Sequence, residues 1–234
     1  MMKCDAQPDC SPLMAGPART RGFNPYQDNG GSIVAIAGGD FVIIGSDTRL
    51  CSGFNILTRN LSKLFKLTKK TVLGSAGCWC DCLTFNKFLE ARLKMYSYEH
   101  DQEMSTNAIS QCCSTMLYSR RFFPYYVANV VAGLDDKGAG AVYHYDPVGN
   151  VERVPYTSSG SSSPIMMPLL DSIVGKKNQV NPDPAPISKD CAMALIKDVF
   201  VSAAERDIQC GDGLHIMLIT KDGIQESSFE LRKD

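Results

Sequence analysis

Histidine, the most common general base and metal ligand, is scarce in this chain: 234 residues hold only three. His100, His144 and His215 stand alone in sequence, and each reads as a structural side chain rather than a general base. A Ser/His/Asp triad stays open on these grounds, although no Gly-x-Ser-x-Gly elbow is present to expose a nucleophile. An excess of charge of one sign is also missing. Lys and Arg number 24 against 25 Asp and Glu, so the net charge is −1 and the pI is near 6.3. A groove that tracks phosphates needs clustered positive charge, so nucleic acid is not an expected partner. Long apolar runs are absent too. Ile33 to Ala37, Phe41 to Ile44 and Val127 to Leu134 all fall far short of the ~18 apolar residues a membrane span requires. Residues 1–30 carry four prolines, several charges and no apolar stretch, so no secretory signal is expected there and no membrane partner. Cytoplasm and nucleus are the expected compartments, with reduced thiols. No Walker loop exists: Ser158 to Ser163 is glycine-containing but has no lysine, and by itself reads as a polar turn.

Cysteine, by contrast, is plentiful, with ten residues at 4, 10, 51, 78, 80, 82, 112, 113, 191 and 210. Cys78-Trp79-Cys80-Asp81-Cys82 looks at first like a metal site. Zinc, however, needs four convergent ligands, usually in two separated pairs. The spacing here is C-x-C, and no histidine is nearby in sequence. Small apolar fillers at a helix start are the simpler reading, and neither metal nor cofactor is expected. At 44% hydrophobic, the chain can bury about 72% of its unfolded surface, ample for one large core without crosslinks.

The chain changes character several times. Residues 1–22 show no period and read as a loosely ordered arm, leaving 23–234 as one domain. Ser32 to Ala37 and Phe41 to Ser46 flank Gly38-Gly39-Asp40 as a hairpin, and both runs are apolar on both faces. Lys63 to Thr68 and Thr71 to Ala76 form a second hairpin around Lys69-Lys70. Cys82, Phe85, Leu89, Leu93 and Tyr96 then step at helical intervals. A second helical segment runs from Met104 to Arg121 and stops before Pro124. Val127 to Leu134 and Ala141 to Tyr145 are strands, and Asp146 to Gly149 is a tight turn. Ser161 to Val174 is a weaker helix, and Asn181 to Pro186 a proline-rich loop. Ser188 caps a helix with an inner face of Ala192, Leu195, Ile196, Val199, Phe200 and Ala203. Leu214 to Thr220 and Ile224 to Phe229 close the chain around Asp222-Gly223. Doubly buried strands alternating with helix pairs predict sheets held between helical layers.

Several separated segments carry a resemblance: Phe23-Asn24-Pro25-Tyr26, Asn29-Gly30-Gly31, Ser46-Asp47-Thr48-Arg49-Leu50 and Leu89 to Tyr96. They continue with Leu117 to Val127, Asp146-Pro147-Val148-Gly149, Ser202 to Asp207 and Leu231-Arg232-Lys233-Asp234. From about residue 23 onward the chain resembles the beta subunits of the proteasome core particle, members of the N-terminal-nucleophile hydrolase superfamily. The resemblance implies an α+β fold, a four-layer α-β-β-α sandwich. It also implies partners: other alpha and beta subunits in stacked seven-membered rings and, indirectly, regulatory particles. Active members of the family expose a Thr by self-cleavage after a Gly, and its own amine serves as the base. A Lys, oriented by an Asp, lowers the local proton affinity. A Gly amide stabilises the oxyanion.

Carried over by position, Asp47 matches the Asp, Lys63 the Lys and Gly77 the oxyanion Gly. Ser161 and Asp207 match an outer pair that steadies the N-terminus, and Cys210 stands where a Ser is usual. The nucleophile position falls on Gly31, which is 16 residues before Asp47 and 32 before Lys63. The expectation is a framework without its reactive atom: a non-catalytic, structural subunit of a protein-degrading particle. Two alternatives stand beside it, an active peptidase using Ser32 and a free-standing interaction protein on the same fold. Ser32 is one residue out of register, and a one-residue slip along a strand turns its side chain to the other face.

Overall fold

In the computed structural model, the described residues are 24–180 and 187–233. The expected arm over 1–22 and the loop from Asn181 to Pro186 lie outside them. The chain opens with β1 (Ser32–Ala37), β2 (Val42–Asp47) and a short ribbon, β3 (Leu50–Ser52) with β4 (Asn55–Thr58). β5 (Leu64–Thr68) and β6 (Thr71–Gly77) follow, then α1 (Trp79–His100) and α2 (Thr106–Tyr118). Four strands come next: β7 (Val127–Leu134), β8 (Gly140–Tyr145), β9 (Val151–Val154) and β10 (Tyr156–Gly160). The helices α3 (Ser163–Ile173) and α4 (Lys189–Ala204) precede the last hairpin, β11 (Gly213–Thr220) and β12 (Gly223–Glu230).

Two five-stranded antiparallel sheets result, ordered β10-β1-β2-β11-β12 and β5-β6-β7-β8-β9. Three apolar clusters show how they stack. Ile33, Ala35, Ile44, Val72, Val130 and Val142 fill the space between the sheets. The alternate residues of β1 and β2, Val34, Ile36 and Ile43, turn outward to meet Leu170 of α3 and Ile196, Val199 and Phe200 of α4. On the other side Leu73 and Val131 meet Phe85, Leu89 and Leu93 of α1 and Ile109, Cys113 and Leu117 of α2. Strands apolar on both faces therefore occur because both faces are covered, and the architecture is the expected α-β-β-α sandwich.

Helix boundaries follow local chemistry. Ser105 and Ser188 start α2 and α4, their hydroxyls accepting from the amides of Ala108 and Cys191 at 3.3 Å. α1 is longer than its apolar stripe suggested, and α2 is shorter than Met104 to Arg121. The weaker helix begins at Ser163 with Pro164 in its first turn, two residues later than expected. Ser158 to Gly160 belong to β10, a strand, where a polar turn was expected. Hydrogen bonding to β1, with Ser32 opposite Gly160 and Val34 opposite Ser158, holds this run extended despite its serines. The eight described cysteines are free thiols. Cys80 is exposed, whereas Cys82 turns into the core under α1, where burial pushes its thiol up to about 12. No described helix is long and apolar enough to cross a membrane.

Candidate functional site

Asp47 closes β2, and Lys63, the residue before β5, lies beside it. The Lys63 ammonium reaches Asp47 Oδ1 at 3.0 Å, and both side chains are buried. Its other donors go to the carbonyls of Asp47 at 3.1 Å and Arg49 at 2.6 Å, so all three ammonium hydrogens have acceptors. Asp47 also accepts from the amides of Ser32 at 2.8 Å and Arg49 at 3.2 Å. Burial pushes the Asp47 carboxyl up, while the Lys63 charge and the two amides pull against that rise. The arrangement is a closed ion pair, with every donor of the ammonium turned onto the chain that surrounds it.

Gly31 lies directly against this pair. Its φ is +94°, and a Cβ built there would sit 2.5 Å from Lys63 Cε and 2.8 Å from Cδ. The Lys63 stem thus fills the volume a side chain at position 31 would need. Ser32 faces elsewhere. Its hydroxyl accepts from the Ser162 amide at 3.2 Å and lies 3.4 Å from Ser161 Oγ.

The Gly77 amide also has a partner already. Residues 28–30 run as an irregular thread between β3 and the end of β6, with Gly30 left-handed (φ +66°) and its amide on Asp28 Oδ1 at 2.9 Å. The Cys51 amide donates to the Asn29 carbonyl at 3.2 Å, and the Asn29 amide to the Gly77 carbonyl at 3.1 Å. The Gly77 N–H then donates to the Gly30 carbonyl at 3.1 Å. The Asn29 side chain locks the thread on both sides, donating to the Cys51 carbonyl at 2.9 Å and accepting from the Trp79 amide at 3.0 Å.

The outer residues meet differently from their sequence pairing. Asp207 takes a 2.5 Å hydrogen bond from Ser162, not from Ser161. The Ser161 amide is spent on the Gly31 carbonyl at 3.0 Å, and the left-handed Gly160 (φ +95°) swings Ser162 towards Asp207. Cys210 is fully buried beneath this group, and burial pushes its thiol up, aided by Asp47 and Asp207. Sequence reasoning missed Ser162. Its only signal was its place two residues after a glycine in a serine run.

A second buried pair braces the site. Arg49 Nε donates to Asp212 Oδ2 at 2.7 Å, its Nη1 to the Ile208 carbonyl at 2.9 Å, and Arg59 also donates to Asp212. Burial alone would raise the Asp212 carboxyl, but the two guanidiniums hold it below the ordinary carboxylate range. A depressed folded pKa contributes stability above the unfolded value of about 3.9, lost as pH falls through the folded one. Asp212→Asn should therefore cost about 1.5–3 kcal/mol at neutral pH and flatten the loss of stability on acidification. Melting temperatures from pH 7 down to about 3 check both effects, and parallel curves for the two proteins would contradict them.

Of the remaining polar clusters, His215 bridges Ser62 at 2.8 Å and Glu226 at 3.1 Å, joining the β5 approach to the last hairpin. It belongs to neither the Asp47 nor the Asp207 group.

A profile of the family described as "Proteasome subunit" matches residues 27–219. A Carassius auratus protein, "Proteasome subunit beta type-1-B", is 50% identical over 94% of this chain and 92% of its own. "Proteasome subunit beta type-1" of Drosophila melanogaster is 49% identical over 91% of each chain. "Proteasome subunit beta type-6" of Saccharomyces cerevisiae is 39% identical over 91% of this chain and 92% of its own.

Proposed function

Because the chain belongs to the proteasome subunit family, as a beta subunit of the core particle, we propose that it is a catalytically silent member. Its work is to complete a seven-membered beta ring, to position neighbouring active subunits, and to form part of the wall of the degradative chamber. It acts in cytoplasm and nucleus, and regulatory particles engage it only through the assembled barrel.

One observation carries the reading: the nucleophile position is Gly31, and the Lys63 stem occupies the room a hydroxyl-bearing side chain would need. Two others support it. The oxyanion amide at Gly77 is bonded to the chain's own Gly30, and the Lys63 ammonium is fully engaged by Asp47 and two carbonyls. Ser32 is a poor substitute: its hydroxyl is turned to Ser161 and Ser162 and not to Lys63, and without cleavage its nitrogen stays an amide, which is no base.

The test uses the assembled particle and an electrophile that modifies N-terminal nucleophiles. Mass spectrometry of each subunit should find adducts on active members and none on this chain. An adduct on Ser32, or a mature chain beginning there, would make this subunit an enzyme.

A further inference from the structure

Three groups stand in line where the two sheets meet. Ser62 Oγ lies 2.8 Å from His215 Nδ1, and His215 Nε2 lies 3.1 Å from a carboxylate oxygen of Glu226. His215 and Glu226 sit on the paired strands β11 and β12, where Glu226 stands opposite Met217, two residues beyond His215. Both therefore share the face that carries Met217 towards the other sheet, as a diagonal pair within reach of long side chains. Ser62 arrives from that other sheet, two residues before β5.

The partners decide where the protons lie. An ionised carboxylate only accepts, so Nε2 carries the hydrogen of the neutral imidazole. Nδ1 is then an acceptor, and the Ser62 hydroxyl donates to it. The Leu64 amide donates to the same Ser62 oxygen at 3.3 Å, which agrees with that direction. Lys66 also meets Glu226, and the lysine first and then His215 hold this carboxyl below its ordinary range. The His215 side chain is only 13% exposed, whereas Ser62 is open to solvent. An exposed hydroxyl, a base to take its proton and a carboxylate to orient that base make an activated serine. Ser62 runs on directly into β5, without the strand-to-helix turn that supports the oxyanion in serine hydrolases. Such a serine suits an acyl donor whose leaving group departs readily.

We propose that Ser62 is a reactive serine that accepts acyl groups from thioesters, with His215 as its base and Glu226 as the residue that positions the ring. Ser62 Oγ bonds to the thioester carbonyl carbon while its proton passes to His215 Nδ1. The carbon–sulfur bond then breaks, and the departing thiolate takes that proton. The products are an ester on Ser62 and a free thiol. None of this uses Gly31, Lys63 or an N-terminal amine, so it is independent of the silent role proposed above.

The experiment treats the folded full-length chain with a fluorophosphonate, which modifies activated serines, and in a second arm with S-acetyl-N-acetylcysteamine. Peptide mass spectrometry locates the adducts, and a thiol reagent follows release in the second arm. Ser119 and Ser202 are internal controls, being exposed hydroxyls that donate to backbone carbonyls and not to an imidazole. Ser62 should be modified about a hundredfold faster than either, with one thiol released per acetyl group gained. H215Q should remove that advantage and leave a rate proportional to hydroxide. E226Q should slow the reaction about tenfold and move its pH profile to lower pH, a shift that a merely structural Glu226 would not produce. Modification of Ser62 no faster than Ser119 and Ser202 in the wild-type chain would overturn the proposal, and this comparison needs no variant to fold. An unchanged rate in folded H215Q chain would overturn it as well. A reagent that requires an N-terminal amine should spare Ser62, so this test and that of the silent role fail separately.

Discussion

Lys63→Ala is expected to lower the stability of the chain by about 3–5 kcal/mol, a fall of about 6–20 °C in melting temperature for a chain of this length. The loss follows from what remains. Asp47 is fully buried, and without Lys63 its charge would be answered only by two amides. Two carbonyls would also lose their shared donor. Lys63→Met with Asp47→Asn removes both charges while keeping the stem's volume and an acceptor for Ser32. That double change should recover more than half of the loss, because neutral replacement of a buried pair is far less costly than breaking it. Thermal melting of the three proteins decides the matter. An alanine variant as stable as the wild type would mean that the pair is not structural. Unchanged peptide cleavage by the assembled particle would accompany the expected result whenever enough variant is incorporated.

Gly31→Thr, which puts a hydroxyl at the position the proposed reading gives to the nucleophile, is expected to destabilise the chain and to give no activity. At φ +94° a Cβ-bearing residue is strained, by about 1–2 kcal/mol, and a β-branched one fits worse. Its Cβ must also displace the Lys63 stem, which adds about 1–3 kcal/mol of overpacking. Displacing Lys63 would pull its ammonium from Asp47, so the new hydroxyl would arrive as its supporting framework is disturbed. The thread at Asn29 and Gly30 would still hold the Gly77 amide. Self-cleavage of this variant directly after Gly30, seen as a new N-terminus by mass spectrometry, would contradict this account.

Much of the molecule was legible from the residues because its signals are local. Gly38-Gly39-Asp40 between apolar runs marks a hairpin in any context, and the α1 stripe of Cys82, Phe85, Leu89 and Leu93 reads directly as a buried helix face. Strands apolar on both sides announced the helical cover. The parts that stayed hidden depend on distant partners. β10 is serine-rich and has no apolar period, and only its ladder with β1 makes it a strand. The ribbon of β3 and β4 and the short edge strand β9 are too small to impose a pattern. The Asp47 and Lys63 contact was readable through spacing and resemblance. The choice of Ser162 over Ser161 was not, since it turns on one left-handed glycine. Arg49 and Asp212 lie 163 residues apart, and neither carries a mark of its partner.

Under the proposed role, the thread of residues 28–30 bears on how a ring of active and silent subunits would handle traffic. A subunit that had lost only its nucleophile would still offer an open groove, and unfolded chains would lodge there without being cut. Such a site would be a decoy, withholding substrate from its active neighbours and binding the same peptide-like inhibitors. In the proposed silent subunit, a peptide approaching the Gly77 amide would first have to displace the main-chain hydrogen bonds at Cys51 and Gly77 and the two made by the Asn29 side chain. On the silent role proposed above, the chain's own backbone between Cys51 and Gly77 would leave the chamber wall at this subunit smooth to its cargo, and inhibitor occupancy of the particle would count only sites that cut.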